Sequence, residues 1–194
     1  KGIDGDFLEG IKSGDHALDV IVGDVMGKGV PPALLGAATK LQVNRSMAEL
    51  LSLQTPGADP PQPRDIVASV NRAMTPHLQA LEAFVTMVYL RFDTRNDTVT
   101  WVGCGHEEPL LIEVGGGIQT FENQLPPVGV FSTDPVTQGS RTLMPGDAVF
   151  LCSDGLADAL LADGSRLGRA QLPDVVRTRM SRLGKPGMVL YIII

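Results

Sequence analysis

Apolar positions along the chain fall into runs whose period changes several times, and those changes predict the elements. Ala17 to Val25, ALDVIVGDV, is rich in β-branched residues and almost continuously apolar, as expected for a strand covered on both faces. The run breaks at Gly23-Asp24. Pro31 and Pro32 then open a stretch to Leu53 in which Ala33, Leu34, Leu35, Ala37, Ala38, Leu41, Met47, Leu50 and Leu51 recur at helical spacings, predicting a long helix packed on the sheet. Gln54 to Pro63 holds four prolines and a glycine in ten residues, so neither helix nor ladder persists there and a surface loop is expected. A second helix is predicted from about Arg64 to Leu81, with Ile66, Val67, Val70, Ala73, Met74 and Leu78 on one face.

After that helix the pattern turns to strands. Ala83 to Phe92 and Thr98 to Gly103 read as a hairpin joined by the polar turn from Asp93 to Asp97. Pro109 to Val114 is a third strand of this half, closed by Gly115-Gly116-Gly117. Strands are also predicted at Thr137 to Leu143, Ala148 to Cys152 and Val189 to Ile194, with helices near Leu156 to Leu161 and Gln171 to Leu183. No internal repeat is visible. This order predicts an α+β sandwich, with helices outside packed sheets, in a single domain spanning residues 1–194.

Composition narrows the partners. Hydrophobic residues make up 43% and charged residues 20%, which is globular usage and not that of a disordered chain. The formal net charge of −6, from 16 Lys+Arg against 22 Asp+Glu, disfavours nucleic acid, whose phosphates need a basic patch. The longest apolar run, Met188 to Ile194, is far short of the roughly 20 residues of a bilayer span, so no membrane association is expected. Cys104 and Cys152 are too few for a disulfide framework and form no CxxC, which points to a reducing cytoplasm.

Within the acidic surplus, Asp6, Asp24 and Asp154 share a context. Asp24 and Asp154 each follow a strongly apolar strand, and all three lie beside glycines that allow close backbone approach. Carboxylates placed so suit hard, oxygen-seeking cations such as Mg²⁺ or Mn²⁺, although each Asp-Gly taken singly reads first as a turn or cap. Phosphate loops fail on spacing. Gly23 to Gly29 has Val22 where a Walker A loop needs its first glycine, and Lys28 is followed by Gly29. Neither a Cys-x₅-Arg loop nor a Gly-x-Ser-x-Gly elbow is present.

Taken together, several segments form one succession: Asp4-Gly5-Asp6-Phe7, Gly23-Asp24-Val25-Met26-Gly27-Lys28-Gly29, Phe84 to Tyr89, Gly105-His106, Pro127-Val128-Gly129, Pro145-Gly146-Asp147 and Ser153-Asp154-Gly155. That succession resembles the metal-dependent PPM-type Ser/Thr protein phosphatases, specifically their bacterial SpoIIE/RsbU-like branch, over nearly the whole chain. The resemblance implies a PPM-like β-sandwich flanked by α-helices in α-β-β-α layers. It implies two divalent cations, Mn²⁺ or Mg²⁺, that activate a water for attack on phosphoserine or phosphothreonine. Asp24 would bridge both cations with the Val25 carbonyl as a further ligand, Asp6 would serve one and Asp154 the other. The substrate implied is a phosphorylated STAS-type anti-sigma-factor antagonist in a partner-switching or stress pathway.

One departure accompanies the match. The family carries an acidic pair just before its last strand, whereas here Gly184-Lys185-Pro186-Gly187-Met188 leads into that strand and no acid follows Asp174. The expectation is a chain trimmed at its N-terminus and lacking residues before the last strand, or else a catalytically weak, phosphatase-like module that binds a regulatory protein. Other chemistry-bearing residues have plainer readings. Asp4 and Glu9 are outer acids or exposed turn residues, and Asp19 is solvent-facing or paired. Asp158 belongs to a solvated helix face, and His16 and His77 to the surface. His106 is a satisfied structural residue, Lys28 meets a phosphate or a carboxylate, Cys152 is a buried apolar filler, and Met26, Met47, Met74 and Met87 fill the core or helix contacts.

Overall fold

The computed structural model describes residues 5–26, 30–55, 57–132, 134–153, 167–168, 171–172, 174–175, 178 and 189–193. In chain order its elements are β1 (Phe7–Lys12), β2 (Ala17–Val25), α1 (Val30–Ser52), α2 (Pro63–Ala80), β3 (Val85–Asp93), β4 (Thr98–Cys104), β5 (Leu110–Ile112), β6 (Ile118–Thr120), β7 (Gly139–Thr142), β8 (Ala148–Cys152) and β9 (Val189–Ile193). They fall into two compact units, Lys1–His106 with Asn123–Thr142, and Glu107–Glu122 with Leu143–Ile194.

The first unit is built on a five-stranded antiparallel sheet of order β1-β2-β3-β4-β7. Its continuous apolar run gives β2 a largely buried place between β1 and β3. Ile21 and Val25 join Val85, Met87, Tyr89, Val102 and Cys104 in one core with Val43 and Met47 of α1 and Ile66, Val67, Val70, Met74 and Leu78 of α2. Each such aliphatic side chain contributes about 1.5–3 kcal/mol when fully buried. The apolar positions of α2 lie on one face as predicted, behind Pro63 in its first turn. Those of α1 do not all face the sheet. Leu34 and Leu41 are 64% and 71% exposed, because a helix apolar on two sides can turn only one of them to this core.

The second unit holds a four-stranded sheet of order β6-β5-β8-β9, antiparallel except for the parallel pair β8 and β9. Ile112, Ala148, Phe150, Cys152, Leu167 and Leu172 form its core, so Cys152 is the buried filler expected. Asp147 accepts the backbone N–H groups of Val114 and Met144, both at 2.8 Å, which gives the Pro145-Gly146-Asp147 turn a structural task. Antiparallel sheets and two long helices among the described residues make the fold α+β.

β6 was not predicted, and β1, the strand or turn expected around Asp6 ahead of β2, had no predicted bounds. The helix expected near Leu156 to Leu161 lies outside the described residues. Of the one expected at Gln171 to Leu183, Leu172, Asp174, Val175 and Thr178 are helical.

A buried ion pair ties the proline-rich loop to the first sheet. Asp19 is fully buried and faces Arg91 directly across the β2–β3 pair. Arg91 Nε and Nη2 donate to the two Asp19 oxygens at 2.6 and 2.7 Å, Nη1 donates to the Pro61 carbonyl at 2.6 Å, and the Tyr89 hydroxyl donates to Asp19 at 2.5 Å. Burial, reinforced by the Asp19 charge, pushes the Tyr89 phenol well above its ordinary pKa. Asp19 is therefore paired, one of the two readings the sequence allowed.

Candidate metal centre

The end of β2 carries Asp24 and Val25, and the segment that holds Gly5 and Asp6 packs against it. Antiparallel pairing sets Phe7 opposite Gly23, and continuing that register puts Asp6 opposite Asp24 and Gly5 opposite Val25. Packing bears this out. A Cβ on residue 5 would lie 2.5 Å from the Val25 carbonyl oxygen and 2.8 Å from Asp24 Oδ1, so only glycine allows the segment to run so close. The Val25 side chain is fully buried, while Asp24 and Asp6 are half-buried at the strand ends.

Directly opposed residues of an antiparallel pair share a face, and like charges so placed repel. A hard cation relieves that repulsion and takes oxygen ligands. The Asp24 carboxylate and the Val25 carbonyl border a cradle that a methyl group would fill, and with Asp6 on the adjoining residue the donors are of the kind that fits Mg²⁺ or Mn²⁺. Among the described residues no group of three or more His, Cys, Asp or Glu side chains converges, and Asp154 and Asp4 lie outside them. Ser153, just before Asp154, is buried and donates its N–H to the Ile193 carbonyl at 3.0 Å, which anchors the end of β8.

The remaining candidates sort by what they touch. Glu9 is neither an outer acid of the centre nor a turn residue. It lies within β1, 3.5 Å from Lys40 Nζ of α1. Cys104 is fully buried, and desolvation pushes its thiol up to about 12, the protonated state of a small core residue. Met47, Met74 and Met87 are core residues, but Met26 is 43% exposed just past the end of β2, so its expected filler role is corrected. His16 and His77 are exposed, as expected. Lys28, Gly27, Gly29 and Asp158 lie outside the described residues.

One contact went unforeseen. Thr86, opposite Asp24 on β3, donates its hydroxyl to the Asp24 carbonyl at 3.3 Å and lies 3.0 Å from Nδ1 of the buried His106. A threonine in a strand carries no such signal by itself; only its place in the same short succession as Gly105-His106 hinted at it.

The family model for stage II sporulation protein E (SpoIIE) matches residues 14–190. The phosphoserine phosphatase RsbU of Bacillus subtilis is 24% identical over 181 residues, covering 93% of this chain and 50% of that protein. The chain spans between about a third and a half of the length of the curated relatives it matches. Among solved structures, the SiaA PP2C domain of Pseudomonas aeruginosa has a TM-score of 0.72 at 20% identity, covering 90% of this chain and 66% of that one. The RsbU and RsbW domains of a Mycobacterium tuberculosis protein give 0.69 at 21%, covering 94% and 48%. These likenesses show the fold, that of PP2C-type domains.

Proposed function

Because this chain belongs to the SpoIIE family, we propose that residues 1–194 are one metal-dependent phosphatase domain that hydrolyses phosphoserine or phosphothreonine in a protein substrate. The observation carrying this reading is the close approach of Gly5, the residue before Asp6, to Asp24 and the Val25 carbonyl. Asp6, Asp24 and the Val25 carbonyl would hold divalent cations, with Asp154 completing the set. When bound, two such cations supply Lewis acidity toward the phosphoryl oxygens and a water made nucleophilic at neutral pH.

The chain's own part is placement. The β2–β3 pairing holds Asp24 at a strand end, the buried Val25 side chain fixes its neighbouring carbonyl, and Gly5 lets the Asp6 segment close upon both. An acidic site of this kind attracts a phosphoester through its cations and not through basic side chains, which suits a chain of net charge −6.

For the substrate, RsbU and the structure joining RsbU to RsbW domains support a phosphorylated STAS-type anti-sigma-factor antagonist in a partner-switching pathway. A cytoplasmic location accords with that role. Among the described residues no helix is long and apolar enough to cross a membrane.

The test is phosphate release from a phosphoserine-bearing STAS protein with Mn²⁺, Mg²⁺ or chelator. Turnover that needs the cation and disappears in Asp24→Ala is expected. A folded chain that binds the phosphoprotein without turnover would favour the binding-module reading instead.

A further inference from the structure

We infer that Thr86 and His106 form a positioning relay that sets the Asp24–Val25 peptide for cation binding, an inference that rests on the metal reading above. The Asp24 carbonyl belongs to the peptide joining the proposed bridging carboxylate to the Val25 carbonyl, so whatever fixes that oxygen fixes the plane linking two ligand groups. Thr86 does so through its hydroxyl, at 3.3 Å. A hydroxyl has one proton to give. With that proton on the Asp24 carbonyl, the 3.0 Å contact between Thr86 Oγ1 and His106 Nδ1 requires Nδ1 to carry a hydrogen and donate it.

The imidazole is held for this task by its backbone. Gly105 has φ +66°, and a Cβ there would lie 2.7 Å from Pro127 Cδ, so glycine alone delivers His106 at this point. Asn123 Nδ2 donates to the His106 carbonyl at 2.9 Å, Gly105 bridges Met87 on β3, and His106 is 6% exposed. Both members thus stand on locked elements, the arrangement by which residues behind a ligand tune it. Neither touches substrate in this account; they act through Asp24.

Two readouts test the relay apart from turnover. Nitrogen-15 NMR of the metal-free wild type is expected to show His106 Nδ1 protonated; an unprotonated Nδ1 overturns the proposal whatever the variants do. In calorimetric Mn²⁺ titrations, Thr86→Val and His106→Leu are each expected to weaken binding about tenfold. Thr86→Ser and His106→Asn, which keep the hydroxyl and a donor near Nδ1, should stay close to wild type. The double variant Thr86→Val with His106→Leu should bind no worse than either single one, as for residues acting as a unit. Wild-type affinity in Thr86→Val, or losses that multiply in the double variant, would overturn the relay alone. A folded wild type that binds no Mn²⁺ overturns the metal reading and the relay with it.

Discussion

Asp19 and Asp24 lie on the same strand, and the fold treats them in opposite ways. Asp19 is fully buried and its charge is answered within the chain, by a guanidinium that grips both oxygens and a phenol that adds a third donor. Asp24 is half-buried at the strand end, where the β1 register, continued by one residue, sets Asp6 across from it and the Val25 carbonyl lies alongside. A charge that serves architecture is neutralised by an internal partner, because an uncompensated buried charge is costly. A pair of carboxylates set against each other at an accessible end is an arrangement that a divalent cation completes. One strand thus carries a permanent tie and, on the proposed reading, a centre whose counter-charge comes from solution.

That contrast can be broken by substitution, and the largest effect is expected at Asp24. Asp24→Ala should lower cation-dependent hydrolysis by at least a hundredfold, beyond the 10–100-fold typical of residues behind a ligand. Its urea denaturation in chelator should match or exceed that of wild type, since a repulsion has been removed. Arg91→Met should do the reverse. It leaves Asp19 buried and unanswered and is expected to cost about 3–5 kcal/mol in the same denaturation, read as a lower midpoint. A loss under 1 kcal/mol would mean that Asp19 is not held as described.

Smaller effects sharpen the same contrast. Mn²⁺ at a hundred times its dissociation constant should stabilise the wild type by about 2.7 kcal/mol, seen as a rise in melting temperature. The rise should persist in Arg91→Met and vanish in Asp24→Ala. Replacing both partners, Asp19→Leu with Arg91→Met, should recover most of what the single change loses, because the residual charge is then gone. A double variant as unstable as Arg91→Met would instead place the cost in the lost anchor to Pro61.

How legible all this was depended on the range of the interaction. β2 and β8 are observed over the spans their apolar runs predict, and both helices begin and end within a residue or two of expectation, since period and proline punctuation are local signals. The bounds of β1 were not legible because Phe7–Lys12 is an edge strand with weak alternation, interrupted by Gly10. The apolar content of α1 was visible, but not which of its two sides meets the sheet. Asp19 could be read as paired without revealing Arg91 as its partner, for only strand register brings together residues 72 positions apart. At the candidate centre Asp6 and Asp24 were named from their glycine-flanked context and Val25 from family likeness, and the approach of Gly5 to Asp24 and Val25 puts their segments side by side. Thr86 went unnoticed because its role exists only once β2 and β3 are paired.

The most direct test follows amide signals of nitrogen-15-labelled protein as substoichiometric Mn²⁺ is added. Broadening should appear first at Gly5, Asp6 and Val25, ahead of Asp19 and Arg91, which lie roughly 17 Å further along the sheet at about 3.3 Å per residue. Signals that broaden first elsewhere, or not at all in a folded chain, would contradict a cation centre at the end of β2.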